Sequence, residues 1–347
     1  MRNPFSFLSK DVGIDLGTSN SLIYIAGKGI VLHEPSVAAV NQKTGQILAI
    51  GHEAKKMIGR TPNHISVIRP LVNGVISDFE MAEEMLRAFL KKIESKPFAA
   101  YRRAIIGVPA NLTEVERKSV EDAVRGAGAS QAFLIEESLA AALGARLPIH
   151  EPVANMVVDI GGGTAEIAAI SMGGVVTSQS IKTAGDKLND DIMRFVRDEF
   201  QLAIGEPTAE EIKISIGSAV PLQEKLEMEV RGRSLQSGLP KAVIMKDTQV
   251  RTAIHRSLRA LLDAIREVIQ VSPPELAGDM LARGILLCGG GSMLRGLDVL
   301  ISRELSVSTI VADDPLTCVA RGTGVAIENF KQYEQILSRP LIPRDIK

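Results

Sequence analysis

Two short runs hold the residues most able to do chemistry. Val12-Gly13-Ile14-Asp15-Leu16-Gly17 and Met156-Val157-Val158-Asp159-Ile160-Gly161 share one order: an apolar strand, an aspartate, an apolar residue, a glycine. Thr18-Ser19-Asn20 follows the first and Gly162-Gly163-Thr164 the second; a further apolar stretch then ends each copy on a glycine turn, at 27–29 and 173–174. Turns rich in glycine and hydroxyl residues expose consecutive backbone N–H groups, a concave nest that suits phosphate oxygens. Glycine also lets the backbone approach the anion and supplies positive φ. Two such loops facing each other would grip a polyphosphate from both sides. The carboxylates of Asp15 and Asp159 would repel it unless they share a hydrated Mg²⁺. One Asp-x-Gly marks any strand-ending turn. Two matched copies, each opening a half of the chain, predict a duplicated domain with a cleft between the halves.

The same residues exclude two other phosphate sites. No Gly-x-x-x-x-Gly-Lys-Ser/Thr occurs, so there is no P-loop, and Gly161-Gly162-Gly163 leads into a strand instead of the helix that a dinucleotide fingerprint requires. A third cluster, Gly289-Gly290-Gly291-Ser292, follows an apolar strand and precedes a helix starting near Leu297. It fits close approach of a base or ribose, and equally an ordinary strand-to-helix turn. Glu210 and Lys213 are three apart and share a helix face. They are placed either to clasp ribose hydroxyls and an adenine edge or to form a solvated ion pair.

The elements that must hold these residues alternate between β-branched runs and helical patterns, which predicts an α/β fold. Strands are expected at 12–15, 22–25, 104–108, 156–159, 167–170 and 285–288. A helix over 79–93 has Asp78 as its N-cap. Thr113 with Glu116 forms a capping box for a helix ending near Gly126, and Thr208 with Glu211 a second box for a helix reaching Ile216. An amphipathic helix over 250–271 stops at Pro273-Pro274.

At 347 residues the chain is long enough for roughly two domains. With 40 basic and 41 acidic side chains it has no basic excess, so no nucleic acid is expected as partner. Its two cysteines, Cys288 and Cys318, are expected as buried thiols in a reducing compartment. No apolar run approaches the roughly 20 residues of a spanning helix, and no secretory leader pattern follows Met1. A cytoplasmic protein is expected.

Asp15-Leu16-Gly17-Thr18-Ser19-Asn20 resembles the first phosphate motif of actins, heat-shock chaperone ATPases and sugar kinases. Asp159-Ile160-Gly161-Gly162-Gly163-Thr164 resembles the second, and Leu287-Cys288-Gly289-Gly290-Gly291-Ser292 the adenosine motif. Within that superfamily the chain resembles the MreB-like bacterial actins nearly end to end. Glu34-Pro35-Ser36-Val37, Gly59-Arg60-Thr61-Pro62, Arg69-Pro70-Leu71 and Leu294-Arg295-Gly296-Leu297-Asp298 belong to the match, as do the stretches 136–144 and 210–219. The resemblance implies a duplicated actin-like (ribonuclease H-like) fold, two domains around a nucleotide cleft, each with a smaller subdomain. Subdomain IA would take 1–31, 75–147 and 317–347, IB 32–74, IIA 148–183 and 247–316, and IIB 184–246.

It also implies roles. Gly17, Thr18, Ser19 and Asn20, with Gly161, Gly162, Gly163 and Thr164, would hold the phosphates of ATP or ADP, and Asp15 and Asp159 would hold Mg²⁺ through water. Glu137, helped by Thr164, would orient the attacking water. Asp186 would lie near the ribose, and Glu210, Glu211, Ile212 and Lys213 with Gly290, Gly291, Ser292 and Met293 would bind the nucleoside. A carboxylate such as Glu137 suits the first turn of a helix, where the dipole favours negative charge, and can align water on a γ-phosphate. Three positions depart from the family: Ser138 replaces a proline, Ala165 a threonine and Ala184 a glycine. Loosened geometry and slow hydrolysis are expected.

Two stretches combine apolar and basic residues in the way that suits an anionic membrane surface. One is Phe5, Phe7 and Leu8 between Arg2 and Lys10, which composition alone leaves equally readable as a frayed terminus. The other is Phe98 ahead of Tyr101-Arg102-Arg103. The family resemblance adds self-assembly into protofilaments, a peripheral place on the inner face of the cytoplasmic membrane, and wall-elongation partners such as MreC and RodZ. The expected function is an ATP-dependent filament that organises cell-wall synthesis and rod shape, with slow Mg-ATP hydrolysis. The alternatives are another actin-fold filament ATPase, or a metabolic phosphotransferase, which usually needs a longer chain and an aspartate base.

Overall fold

The computed structural model describes residues 10–93 and 101–337. Two compact units divide the chain: Met1–Val153, Ile170–Val176 and Leu316–Lys347 in the first, Ala154–Ala169 and Thr177–Pro315 in the second.

Unit 1 begins with β1 (Lys10–Leu16), β2 (Asn20–Ile25) and β3 (Gly29–Pro35), an antiparallel meander in which Asp15 stands opposite Leu22. Gly27 and Gly29 have φ of 75° and 81°, which a Cβ would oppose, so the meander turns there. A small sheet of β4 (Ala38–Asn41), β5 (Ile47–Ile50) and β6 (Ile65–Ile68) follows, with the short α1 (His52–Lys55) packing Ala54 against Val37 and Ala39. β7 (Leu71–Val72) and β8 (Val75–Ile76) form a two-residue hairpin. In α2 (Phe79–Ile93), Asp78 accepts a hydrogen bond from Met81 N at 3.0 Å, and Ala82, Met85, Leu86, Phe89 and Leu90 bury the inner face. β9 (Tyr101–Val108) runs parallel to β1. The expected capping box opens α3 (Glu114–Gly126): Glu116 N donates to Thr113 Oγ1 and Thr113 N to Glu116 Oε2. β10 (Ala129–Glu136) extends the sheet to the order β10-β9-β1-β2-β3, and α4 (Glu137–Gly144) leaves its end.

A second meander repeats that plan with β11 (Asn155–Ile160), β12 (Ala165–Ser171) and β13 (Gly174–Ile181), all in unit 2 except Ile170–Val176. Then come α5 (Gly185–Phe200), β14 (Leu202–Ala203), α6 (Glu206–Ile216), β15 (Glu227–Ser234), β16 (Pro240–Lys246), α7 (Asp247–Val271) and α8 (Pro274–Arg283). β17 (Ile285–Cys288), α9 (Leu297–Leu305) and β18 (Thr309–Val311) complete it. The sheet order β18-β17-β11-β12-β13 has the same connectivity as the first sheet, with β17 parallel to β11 as β9 is to β1. Strands β14, β15 and β16 form a separate sheet. In unit 1, α10 (Cys318–Glu328) and α11 (Phe330–Tyr333) follow.

Two helix starts differ from expectation. Thr208 and Glu211 do not cap α6; it starts three residues earlier, with Gly205 as N-cap and Pro207 in the first turn. Proline's fixed φ and missing N–H suit that turn, so it moves the start forward of the threonine. α7 begins three residues early, at Asp247, and ends at Val271 before the proline pair as expected; Pro274 also serves as the first residue of α8, the same preference at work. Both cysteines are buried thiols outside any disulfide. Among the described residues no helix is long and apolar enough to cross a membrane.

Candidate functional site

In unit 1 the candidate residues gather where β1 ends. Asp15 pairs with Gly107 of the neighbouring β9. A Cβ on Gly107 would lie 2.8 Å from Val319 Cγ1 and 3.5 Å from Glu137 Cγ. The bare glycine therefore makes room for Val319, with Glu137 in ordinary contact beside it, and the structure brings Asp15 and Glu137 to the same strand ends. Glu137 is the first residue of α4, as its proposed chemistry requires. Burial pushes the Asp15 carboxyl up to about 7. A desolvated carboxylate of this kind fits a place beside a hydrated divalent cation, which needs only one or two carboxylates besides phosphate and water. Burial also raises the adjacent Glu136, which Arg117 partly offsets.

The β1–β2 turn is braced from below. Gly17 has no room for a side chain, since its Cβ would sit 2.7 Å from Asn20 O. Ser36 Oγ donates to Gly17 O at 2.6 Å and lies 2.9 Å from Ser21 Oγ, while Ser36 N donates to Ser19 O. Thr18 is buried, and its hydroxyl accepts from Gly74 N at 2.9 Å, leaving its proton to donate. Ser19 and Asn20 are half-exposed.

Unit 2 shows the matching turn. Gly161 N donates to Thr164 O at 2.9 Å, closing the loop after Asp159, which is buried with Thr164. The N-terminus of α5 sits directly on this loop: Gly185 N donates to Gly161 O and Asp186 N to Gly162 O at 2.8 Å. Asp186 thus places a carboxylate at the positive end of a 16-residue helix. On α6, Lys213 Nζ donates to Glu210 Oε2 at 2.7 Å and to Gly185 O at 3.0 Å. The clasp expected of Glu210 and Lys213 is therefore tied to the glycine loop and is no isolated surface pair. Glu211 is exposed beside it. Ile212 is not: its side chain is wholly buried in the core, because one residue's step along the helix turns it inward.

The third glycine cluster has a reason the sequence did not give. A Cβ on Gly289, at φ 75°, would collide with Asp159 and with Ile160 O, and one on Gly291 with Ile160 Cγ2. These glycines let the loop lie on the end of β11. Ser292 is buried, and its hydroxyl donates back to Gly289 O at 2.7 Å, closing the turn that carries Gly290. Met293 stays well exposed, as does Ile214 on α6. Arg295 Nη1 donates to Ile214 O at 2.7 Å and to Gly217 O, joining this loop to the end of α6. Ser36, Asn189 and Arg295 were not singled out as site residues from sequence. Each acts on a partner between 19 and 81 residues away in the chain, so no local pattern marks them. Phe5, Phe7, Leu8 and Phe98 lie outside the described residues. Arg102 and Arg103 do not project freely: both pair with Asp11, and Arg103 also stacks on Phe330 at 4.2 Å.

Two sheets of one connectivity, each ending in the same Asp–Gly turn, define a duplicated α/β protein of the actin-like class. A relative known by structure shares that fold. MreB 5 of Spiroplasma citri, solved bound to AMPPNP and to ADP, is 36% identical over 94% of this chain and 98% of its own, with TM-scores of 0.89 and 0.90. The chain belongs to the MreB/Mbl family, whose model matches residues 9–335. It is 46% identical to the cell shape-determining protein Mbl of Bacillus cereus over 93% of this chain and 97% of that one. It is 47% identical to the cell shape-determining protein MreB of Escherichia coli over 94% and 95%.

Proposed function

We propose that this chain is an ATP-binding bacterial actin that assembles into filaments under the cytoplasmic membrane, organises cell-wall synthesis and rod shape, and hydrolyses Mg-ATP slowly. The observation that carries the nucleotide reading is the Asp–Gly turn present once in each unit, with Glu137 beside the first. The structural relative's two nucleotide complexes support it, and the cell-shape names of the curated relatives support the cellular role. Subdomains IA, IB, IIA and IIB would follow the boundaries expected from sequence.

In this reading the N–H groups of 17–20 and 161–164 would hold the phosphates, and Asp15 and Asp159 would hold Mg²⁺ through water. The metal would supply charge neutralisation at the phosphates. Glu137 accepts a hydrogen bond from the attacking water and aligns it; Thr164 donates to phosphate. Asp186, Glu210 and Lys213 address the ribose and base, with the 290–293 loop across from them on the nucleoside. Ser138 and Ala165 weaken preorganisation, so turnover is slow. Membrane contact is assigned to Phe5, Phe7, Leu8 and Phe98, and filament partners to the elongation machinery, MreC and RodZ among them. The test is sedimentation and electron microscopy with Mg-ATP and anionic liposomes: filaments that pellet with the liposomes are expected. Protein that stays monomeric in every nucleotide would overturn the assembly reading.

A further inference from the structure

Asn189 lies on α5 one turn after Asp186, and it is almost completely buried, 1% exposed. Its Nδ2 donates to Glu210 Oε2 at 2.6 Å, the same oxygen that Lys213 holds at 2.7 Å. The orientation of the amide follows from chemistry, because a carboxylate only accepts. Its other end, Oδ1, is buried with no hydrogen-bond partner. An apolar side chain of similar size would fill this space without burying an unpaired acceptor. Packing therefore does not account for an amide here; the bond to Glu210 does.

That bond completes a chain of contacts. Asn189 and Lys213 meet at Glu210, Lys213 reaches Gly185 O, and Gly185 N reaches Gly161 O on the glycine loop. From these contacts we infer that Asn189 is a positioning residue for nucleoside recognition: it fixes the Glu210 carboxylate so that it meets the ribose 2′- and 3′-hydroxyls. The inference rests on the reading of Glu210 and Lys213 as the nucleoside clasp. A neutral donor suits the task, since an acid at this position would set two carboxylates against each other unless one kept a proton.

The test is calorimetric titration with Mg-ATP and with Mg-2′,3′-dideoxy-ATP. Wild type should prefer ATP by about tenfold or more, the scale of a lost hydrogen bond to a charged group. Asn189→Leu should erase the preference while binding the dideoxy nucleotide within about twofold of wild type. Asn189→Asp should regain the preference as pH falls and the new carboxyl takes up the proton it needs to donate, and lose it as pH rises. Glu210→Gln separates the two levels of the argument. If Glu210→Gln keeps the wild-type preference, the clasp itself is misassigned. If Glu210→Gln erases it and Asn189→Leu does not, the role of Asn189 is refuted alone. Equal weakening of both nucleotides in Asn189→Leu, with no pH dependence in Asn189→Asp, also refutes it by revealing a purely structural residue.

Discussion

Glu137 opens α4 beside the bare Gly107, and its chemistry is expected to be separable from nucleotide binding. Glu137→Ala should leave ATP affinity unchanged and slow single-turnover phosphate release roughly 100-fold, the scale of losing a positioned base. Equal rates in the two proteins would remove Glu137 from the mechanism. Asp11 makes a different kind of contribution. Burial raises its pKa, but hydrogen bonds and charge from Arg102 and Arg103 outweigh this and leave it below the usual carboxylate value of 3.8. A carboxylate lowered in the folded state stabilises above its unfolded pKa, and the contribution is lost as pH falls through the folded value. Asp11→Asn should therefore cost about 1 kcal/mol at neutral pH. The difference from wild type should shrink in urea melts as pH falls through that lowered value.

At the scale of elements, α4 and α10 cross without side chains between them. A Cβ on Gly322 would collide with Ala140 O, and one on Gly144 with Cys318 O. Gly322→Ala should lower stability by about 3 kcal/mol, read as a reduced urea midpoint with an unchanged slope. Ser138 offers the opposite sign. Its hydroxyl is buried without a partner in the first turn of α4, so Ser138→Ala should stabilise by about 1 kcal/mol and raise the melting temperature. The paired hairpins were legible because strand, aspartate and glycine recur in one order, and β17 was legible to the residue. The start of α6 was not, because Thr208-x-x-Glu211 imitates a box while Pro207 sets the true turn. Neither was the purpose of Gly291. A glycine looks the same in sequence whether a ligand or Ile160 takes the space.

For the whole molecule, membrane attachment and assembly are expected to depend on each other. Each apolar stretch offers only a few large side chains, roughly 1.5–3 kcal/mol apiece if fully buried, and immobilising a free monomer consumes much of that. Asp11 also compensates one of the two charges at Arg102 and Arg103. A filament meets the immobilisation cost once for many copies. ATP-assembled protein should therefore pellet with anionic liposomes and release in high salt. Removal of 2–9 together with Phe98→Ser should abolish pelleting while ATP binding survives; wild-type pelleting by that variant would clear these segments of the role.

All of this depends on a nucleotide occupying the Asp–Gly turns, and isothermal titration of the purified chain with ATP in millimolar Mg²⁺ tests that most directly. The account predicts saturable binding of one ATP per chain, lost in Gly17→Val, whose side chain would meet Asn20 O. No binding heat in wild type, or unchanged affinity in a folded Gly17→Val, would contradict it.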